Sequence, residues 1–193
     1  MKKTLLILLL FITKEIFSQE ITIKIDNLPK NITEFEELRN KIANTPEGGA
    51  TIFLIACQIY VTNKELGKQA ITIAYDLSEL SKGNWYKGYE PSNSQKYYIN
   101  RLDSRPYLPF AYIKGATPEN EYKIDLPYEF IFVRNQYSGD ESSGRIKIFI
   151  KTYGVMPRPI SLIRNDKGIW KVKESSSIFV DVQAPKQNIK DDL

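Results

Sequence analysis

The 193-residue sequence contains no histidine and a single cysteine, and these two absences exclude many kinds of catalytic and metal site. Without histidine the chain cannot form a Ser-His-Asp triad, a Cys-His pair or a histidine-ligated zinc site. With Cys57 alone it cannot form an internal disulfide. It also lacks a Gly-x-Gly-x-x-Gly motif and a phosphate-binding loop. We therefore predict no cofactor and no metal, and the inventory favours a protein that is not an enzyme.

The few remaining candidates for such chemistry have simpler interpretations. Cys57 lies in an apolar segment of a predicted helix, where a free thiol packs as a small hydrophobic group. Asp140, Glu141 and Asp166 lack the alternating spacing of a calcium-binding loop. Neither group of residues indicates a catalytic or metal site.

The apolar run at the N-terminus is too short to cross a membrane. It covers residues 5–12, whereas a membrane-spanning helix needs about 20 apolar residues. Lys2 and Lys3 precede the run and a polar stretch follows it, which is the layout of a secretory signal peptide. We predict cleavage after Ser18, with retention as a membrane anchor as the alternative. No cysteine follows the run to accept a lipid, so we expect an exported protein, periplasmic or extracellular, without a stable membrane span.

The charge of the chain does not indicate a nucleic-acid partner. Lysine and arginine number 27 and acidic residues 23, a net charge of +4. Loss of Lys2, Lys3, Lys14 and Glu15 with the predicted signal peptide leaves a net charge of +2. Nucleic-acid binding requires positive residues clustered on one face. We therefore predict no nucleic-acid partner.

The N-terminal half has the pattern of one strand followed by helices. Residues 20–26 alternate between apolar and polar with period two, which predicts a half-buried strand. A capping box at residues 33–36 predicts a helix that starts at Thr33 and continues to Ala43. Thr45 and Pro46 begin a second helix, which is apolar on nearly all sides and is therefore expected to be central.

Two more helices are predicted before residue 103. Asn63 can cap the third helix. Its expected core residues are Leu66, Ala70, Ile73, Ala74 and Leu77. The fourth helix is predicted at residues 92–102, with Ser92 as its N-cap.

Strand patterns replace helical periodicity after residue 103. The predicted strands are residues 129–133, 145–151, 160–164, 169–173 and 178–182. A turn at residues 165–168, ending in Gly168, joins the third and fourth of these strands as a hairpin. Together these patterns predict an α+β fold with N-terminal helices packed on one face of a curved antiparallel C-terminal sheet. We predict a signal peptide at residues 1–18, one domain at 19–185 and a flexible charged tail at 186–193.

Three stretches of the sequence are distinctive. They are residues 106–122 (PYLPFAYIKGATPENEY), residues 157–162 with 168–172 (PRPISL and GIWKV), and residues 46–50 (PEGGA). They resemble a bacterial domain family of unknown function found in small exported or cytoplasmic proteins. The resemblance covers most of the mature chain and implies a single domain, but it carries no activity. The order of elements also resembles the cone-shaped fold of the nuclear-transport-factor-2-like and SnoaL-like superfamily, which implies a sheet curled around a pocket.

Aromatic residues are unusually dense between residues 85 and 128, where basic residues are interleaved with them. Tyrosine and tryptophan offer large, rigid contact areas with a polar handle, as binding sites require. We predict a ligand-binding site formed by Trp85, Tyr86, Tyr89, Arg101, Tyr107, Tyr112 and Lys114. The alternative is that these rings complete the hydrophobic core.

The sequence thus favours a secreted, non-catalytic module that binds a small molecule, glycan or protein through this aromatic segment. One alternative is a carboxylate-dependent, glycan-directed hydrolase, since such enzymes need two carboxyl groups in one cleft. The candidates are Glu90, Asp103, Glu119, Glu121, Asp125 and Glu129, which the sequence alone does not pair. The other alternative is a structural partner in an envelope assembly.

Overall fold

Residues 19–186 are described by a computed structural model of the chain. The predicted signal peptide and the predicted tail beyond Lys186 lie outside these residues. In chain order the elements are β1 (Gln19–Ile25), α1 (Ile32–Ile42), α2 (Pro46–Thr62), α3 (Lys64–Ala74), β2 (Leu80–Tyr86), β3 (Tyr89–Pro91), α4 (Asn93–Ile99), α5 (Arg101–Ser104), β4 (Tyr128–Arg134), β5 (Arg145–Thr152), β6 (Val155–Arg164) and β7 (Trp170–Glu174).

Five strands form one antiparallel sheet in the order β1-β4-β5-β6-β7. The N-terminal strand β1 joins the C-terminal strands at one edge, with Ile23 opposite Phe130 of β4. Its isoleucines share the face that is turned toward the helices, as the alternation predicted. The α+β prediction is confirmed, and the sheet is open rather than closed into a barrel.

Helix α2 is the centre of the molecule, as its apolar sequence predicts. Every residue from Pro46 to Tyr60 is buried, and the helix contacts α3 on one side and the sheet on the other. Gly67 of α3 lies against it so closely that an added Cβ would be 2.1 Å from the Cα of Tyr60. The glycine is therefore required by the packing of the two helices, although it has a low helix propensity.

Three of the four helix starts, those of α2, α3 and α4, are as predicted, and the start of α1 is not. The side chains of Thr45 and Asn63 accept from the third amide beyond them and cap α2 and α3. In α1 the N-cap is Asn31, whose side-chain oxygen accepts from the Glu34 amide at 3.0 Å. The predicted cap at Thr33 is wrong because asparagine, a strong N-cap residue, lies two positions earlier and starts the helix there.

The last predicted strand is also wrong. A 3-10 helix, Ser176–Phe179, covers its first two residues, and the remaining three are not in a strand. Its carbonyl groups find side-chain donors instead of a neighbouring strand: Tyr112 donates to Ile178 at 2.8 Å and Arg101 to Phe179 at 3.0 Å. Leu77, predicted to be in the core, lies beyond the end of α3 and is exposed.

Candidate functional site

The structure distributes the seven predicted site residues over several parts of the molecule. Trp85, Tyr86 and Tyr89 lie on the β2-β3 hairpin, which the sequence analysis did not predict. Lys87 and Gly88 form its two-residue turn, both with positive φ, and this geometry is typical of hairpin loops. The signal in the sequence was the glycine of Lys87-Gly88 between the Trp85-Tyr86 pair and Tyr89.

The hairpin aromatics pack on the helical layer. Trp85 stacks on Tyr60 with ring centroids 6.2 Å apart, and the Tyr86 hydroxyl donates to Glu36 at 3.0 Å. Tyr89 is exposed. Two of the three rings thus attach the hairpin to the helices, and the third faces solvent.

Arg101 and Tyr112 both bond to the C-terminal 3-10 helix. Their side chains donate to the carbonyls of Phe179 and Ile178, and Tyr112 is only 1% exposed. Burial raises the pKa of the Tyr112 phenol. These two contacts are those of residues that hold a chain segment in place.

Lys114 lies in the segment between α5 and β4, where its backbone amide donates to the Glu129 carbonyl of β4 at 2.8 Å. Its ammonium group pairs with Glu129 at 2.7 Å. It borders a depression of about 200 Å³ that Ile131, Lys151 and Tyr153 also line. This depression lies apart from the hairpin, so the seven residues do not form one groove.

Tyr107 borders a larger cavity of about 510 Å³, which we name the tyrosine cleft. Its lining residues are Val61, Thr62, Pro106, Tyr107, Phe110, Glu121, Tyr122, Lys123, Ile124, Asp125 and Tyr128. The end of α2, the segment at residues 106–110 that follows α5, and residues 121–128 at the approach to β4 thus meet around one opening. Four aromatic rings contribute to its lining, and all four belong to the dense aromatic segment.

The loop that carries Tyr122 is held in one conformation by many hydrogen bonds. Asn120 accepts from the Thr117 amide and donates to the Gly115 carbonyl, both at 2.9 Å. The Tyr122 amide donates to the Thr117 carbonyl at 2.9 Å. Glu121 and Tyr122 both have positive φ, 55° and 58°, which is costly for residues with side chains. Such strain is concentrated at functional sites, and here it places Tyr122 at the cleft.

The rings of Tyr107 and Tyr122 stack, with centroids 5.7 Å apart and planes 13° from parallel. The Tyr122 hydroxyl donates to the Gln183 carbonyl at 2.5 Å. Burial, followed by the nearby Tyr107, Glu119 and Tyr153, raises the pKa of Tyr122 to about 12. The Tyr122 phenol is therefore neutral near pH 7, and the stacked pair forms one aromatic wall of the cleft.

A second cavity of about 270 Å³ adjoins the tyrosine cleft, since Thr62, Phe110 and Tyr128 line both. Gln58 of α2 lines this second cavity and is only 2% exposed. Its amide nitrogen donates to the Pro109 carbonyl at 3.0 Å, which fixes the orientation of the amide because that carbonyl can only accept. Its amide oxygen has no hydrogen-bond partner among the described residues.

Gln58 was missed by the sequence analysis. The available signal was an amide within a helix whose neighbouring residues are apolar, since a buried polar group without a partner is costly. Its two ends differ: the nitrogen anchors the segment that carries Tyr107 and Phe110, and the oxygen is unsatisfied.

The candidate carboxylates are mostly paired with lysines in separate places. The pairs are Glu90–Lys96, Asp103–Lys64, Glu119–Lys186, Glu121–Lys123 and Glu129–Lys114. Of the six candidates, Glu121 and Asp125 line the tyrosine cleft together. Asp125 also lies close enough to Tyr128 to raise the pKa of that phenol, after the larger effect of burial.

The structure shows little of other chemistry in the described part of the chain. Cys57 is buried in α2, and burial raises the pKa of its thiol. Within residues 19–186 no three histidine, cysteine or acidic side chains are grouped so that they could hold a metal ion. None of the helices in this range has both the length and the apolar character that crossing a membrane requires.

A family model described as Domain of unknown function (DUF6935) matches residues 27–186. The match covers α1 to β7, including the tyrosine cleft, and the chain therefore belongs to this family. No curated protein and no solved structure matches the chain. The predicted resemblance to a family of unknown function is confirmed, while the resemblance to the nuclear-transport-factor-2-like fold stays a prediction.

Proposed function

We propose that this member of the DUF6935 family is an exported binding module that holds a small ligand in the tyrosine cleft. The observation that carries the proposal is the cavity of about 510 Å³ lined by Tyr107, Phe110, Tyr122 and Tyr128. Ligand sites are typically concave, mostly apolar and few in number, with a small set of polar groups that fix the ligand's orientation. The cleft has this composition.

The walls of the cleft support binding because they are fixed before a ligand arrives. The strained loop around Tyr122 is closed by backbone bonds, and Gln58 holds the segment of Phe110 through the Pro109 carbonyl. A preformed site avoids the entropy cost of ordering side chains on binding. A ligand with a flat or apolar face would stack on the rings, and Asp125 at the rim favours one that also carries hydroxyl or amine donors.

A carboxylate-dependent hydrolase is the second candidate function, because Glu121 and Asp125 share the cleft. Glycoside hydrolysis needs two carboxyl groups at a fixed separation across the scissile bond. The pairing of Glu121 with Lys123 at 2.5 Å makes this candidate weaker, since that carboxylate already has a partner. Binding and hydrolysis would use the same cleft and are separated by product formation.

The test is a ligand-binding screen by thermal shift and calorimetry. The probes are N-acetylglucosamine oligosaccharides, β-linked glucose oligosaccharides and short tyrosine-containing peptides. We expect a hit whose affinity falls at least about tenfold in Tyr107→Ala. The matched control is Tyr97→Ala, since Tyr97 is exposed and lies outside the cleft.

The outcomes separate the candidates. Binding that is lost in Trp85→Ala but kept in Tyr107→Ala would move the site to the β2-β3 hairpin and overturn the proposal. A hit that is released as a cleaved product, with turnover abolished in Glu121→Gln or Asp125→Asn, would establish the hydrolase instead. No response to any probe, together with capture of one stoichiometric protein by the intact chain, would favour the structural partner.

We also propose, from the sequence, that the protein is exported by cleavage after Ser18. Mass spectrometry of the protein recovered from an exporting bacterial host should give a chain that begins at Gln19. Recovery of the uncleaved chain in the membrane fraction would establish retention as an anchor.

A further inference from the structure

The two edges of the main sheet differ. At the β7 edge the Asp76 amide donates to the Val172 carbonyl at 2.8 Å, and the Trp170 amide donates to the Ala43 carbonyl at 2.7 Å. Helical connections therefore cover that edge. At the opposite edge β1 pairs with β4 on one side, and no strand within residues 19–186 pairs with its other side. An open edge of this kind presents unpaired amide and carbonyl groups to another chain.

The outer face of β1 carries charges in a symmetric order. Glu20, Thr22 and Lys24 alternate along the face turned away from the helices, and all three are exposed. Ile21 and Ile23 lie on the other face and remain half-buried. When a second copy of the strand runs antiparallel to the first, this order reverses. The acidic residue of each copy then lies opposite the basic residue of the other, and the neutral residues lie opposite each other.

We propose that two copies of the chain pair through β1, antiparallel, around a two-fold axis at Thr22. This register places Glu20 of each copy opposite Lys24 of the other, and Ile21 opposite Ile23. The ten strands of the two sheets then form one continuous sheet. This inference is independent of the tyrosine cleft and goes beyond the proposed function.

The charges on β1 favour this register over the two registers in which the two-fold axis is shifted by one residue. A two-fold axis perpendicular to the sheet keeps the side chains on their own faces, so the axis can shift only by whole residues. An axis at Ile23 would place Glu20 opposite Asp26, and like charges directly opposite one another are destabilising. An axis at Ile21 would leave Lys24 without an acidic partner. The axis at Thr22 alone satisfies both charges.

The charged residues have partners within one copy, but these pairs are weak. Glu20 pairs with Lys151, and Lys24 pairs with Asp26 at 3.2 Å. All four side chains are at least 42% exposed. Exposed ion pairs contribute little to stability, so exchange for a cross-strand partner is inexpensive. The half-buried isoleucines and the backbone hydrogen bonds of the new ladder provide the gain.

The first experiment is a disulfide test of the register on the intact protein. In Thr22→Cys the Cβ atoms of the two new cysteines lie opposite each other, about 5 Å apart, so oxidised glutathione should join the thiols into a covalent dimer. In the control Asp26→Cys the two thiols lie about 27 Å apart along the strands and should not join. Cys57 is buried in both variants and does not interfere.

The second experiment measures association by analytical ultracentrifugation. Lys24→Glu places a glutamate opposite Glu20 at both ends of the paired strands and should weaken the dimer at least about tenfold. The double variant Glu20→Lys with Lys24→Glu restores opposite charges and should restore the dimer. A monomer at all concentrations, a dimer indifferent to Lys24→Glu, or equal cross-linking of both cysteine variants would overturn the proposal.

Discussion

Two groups of aromatic residues lie on or beside helix α2, and they differ in how completely the space around their rings is filled. In the closed cluster Phe53 contacts Tyr75 and Phe179 edge to face, with centroids 5.0 and 6.0 Å apart. These three rings are almost fully buried. In the tyrosine cleft Tyr107 and Tyr122 stack at a similar distance, 5.7 Å, but border a cavity of about 510 Å³.

Their polar atoms differ in the same way. Ser175 donates to the Tyr75 hydroxyl at 2.8 Å, Tyr75 donates to Gln95 at 3.0 Å, and Gln95 donates to Glu79 at 2.9 Å. This chain of bonds is complete. Beside the cleft, the Gln58 amide oxygen has no partner among the described residues. The comparison teaches that ring density does not separate core from site, whereas filled volume and satisfied polar atoms do.

The largest expected effect is on the closed cluster. Phe53→Ala should lower the free energy of unfolding by about 4 kcal/mol, because it removes a fully buried ring and leaves a cavity that α2 and its neighbours cannot fill. Urea unfolding followed by circular dichroism measures the change.

Phe110→Ala is the matched control for this substitution. The same ring is removed, but Phe110 is only half-buried and borders the tyrosine cleft, so the loss should be about half as large. Equal losses at the two positions would mean that the cleft is as closed as the core, and the comparison would fail.

The second effect concerns a buried charge beside α3. The Lys171 ammonium group donates to the Ile73 carbonyl, and burial, with a smaller effect of Arg39, lowers the pKa of Lys171 to about 8. In the unfolded chain this pKa is about 10.4. Between these values Lys171 binds more protons in the unfolded chain than in the folded one, so its contribution to the free energy of unfolding should rise with pH. From pH 8 to 10 we expect this contribution to rise by about 2 kcal/mol.

Lys171→Met identifies the group responsible for this rise. Wild type and variant share every other group that titrates in this range, such as the Cys57 thiol, so the difference between their free energies of unfolding isolates Lys171. That difference should rise by about 2 kcal/mol from pH 8 to 10. A difference that stays constant over this range would contradict the assignment.

A smaller effect is expected for the hydrogen bonds of the closed cluster. Tyr75→Phe keeps the ring but leaves Ser175 and Gln95 each without a buried partner. We expect a loss of about 1.5 kcal/mol in the free energy of unfolding, since unsatisfied buried groups carry a desolvation cost. Tyr86→Phe is the control, because its hydroxyl bonds to the partly exposed Glu36. Its loss should be below about 0.5 kcal/mol.

Most of the fold could be predicted from local patterns. The alternation of residues 20–26 and the caps at Thr45 and Asn63 give elements that the structure contains, because these signals depend on neighbouring residues alone. The strand prediction for residues 178–182 is wrong because an apolar, β-branched run forms a strand only where a partner strand is present. Here Arg101 and Tyr112 satisfy its carbonyls, and no local pattern reveals these contacts.

The candidate site was less predictable than the fold. The aromatic density marked the right segment, but the sequence does not tell which rings face inward. Tyr112 and Tyr107 are five residues apart, yet the first is buried against Ile178 and the second borders the cleft. The opening also depends on residues far away in the chain, such as Thr62 of α2 and Asp125. Tertiary packing therefore determines which rings are buried and which border the cleft.

The smallest effect on stability is expected at the cleft itself, where it carries the most information. Tyr107→Ala should lower the free energy of unfolding by less than about 1 kcal/mol, because Tyr107 is partly exposed and already borders a cavity. The same variant should lose at least about tenfold in affinity for any probe that binds the wild type. Denaturant unfolding and calorimetry on one preparation give both numbers. Substitution of a binding-site residue lowers ligand affinity more than the free energy of unfolding, whereas substitution of a core residue has the reverse effect. A large loss in the free energy of unfolding for Tyr107→Ala would therefore assign the stacked tyrosines to the core.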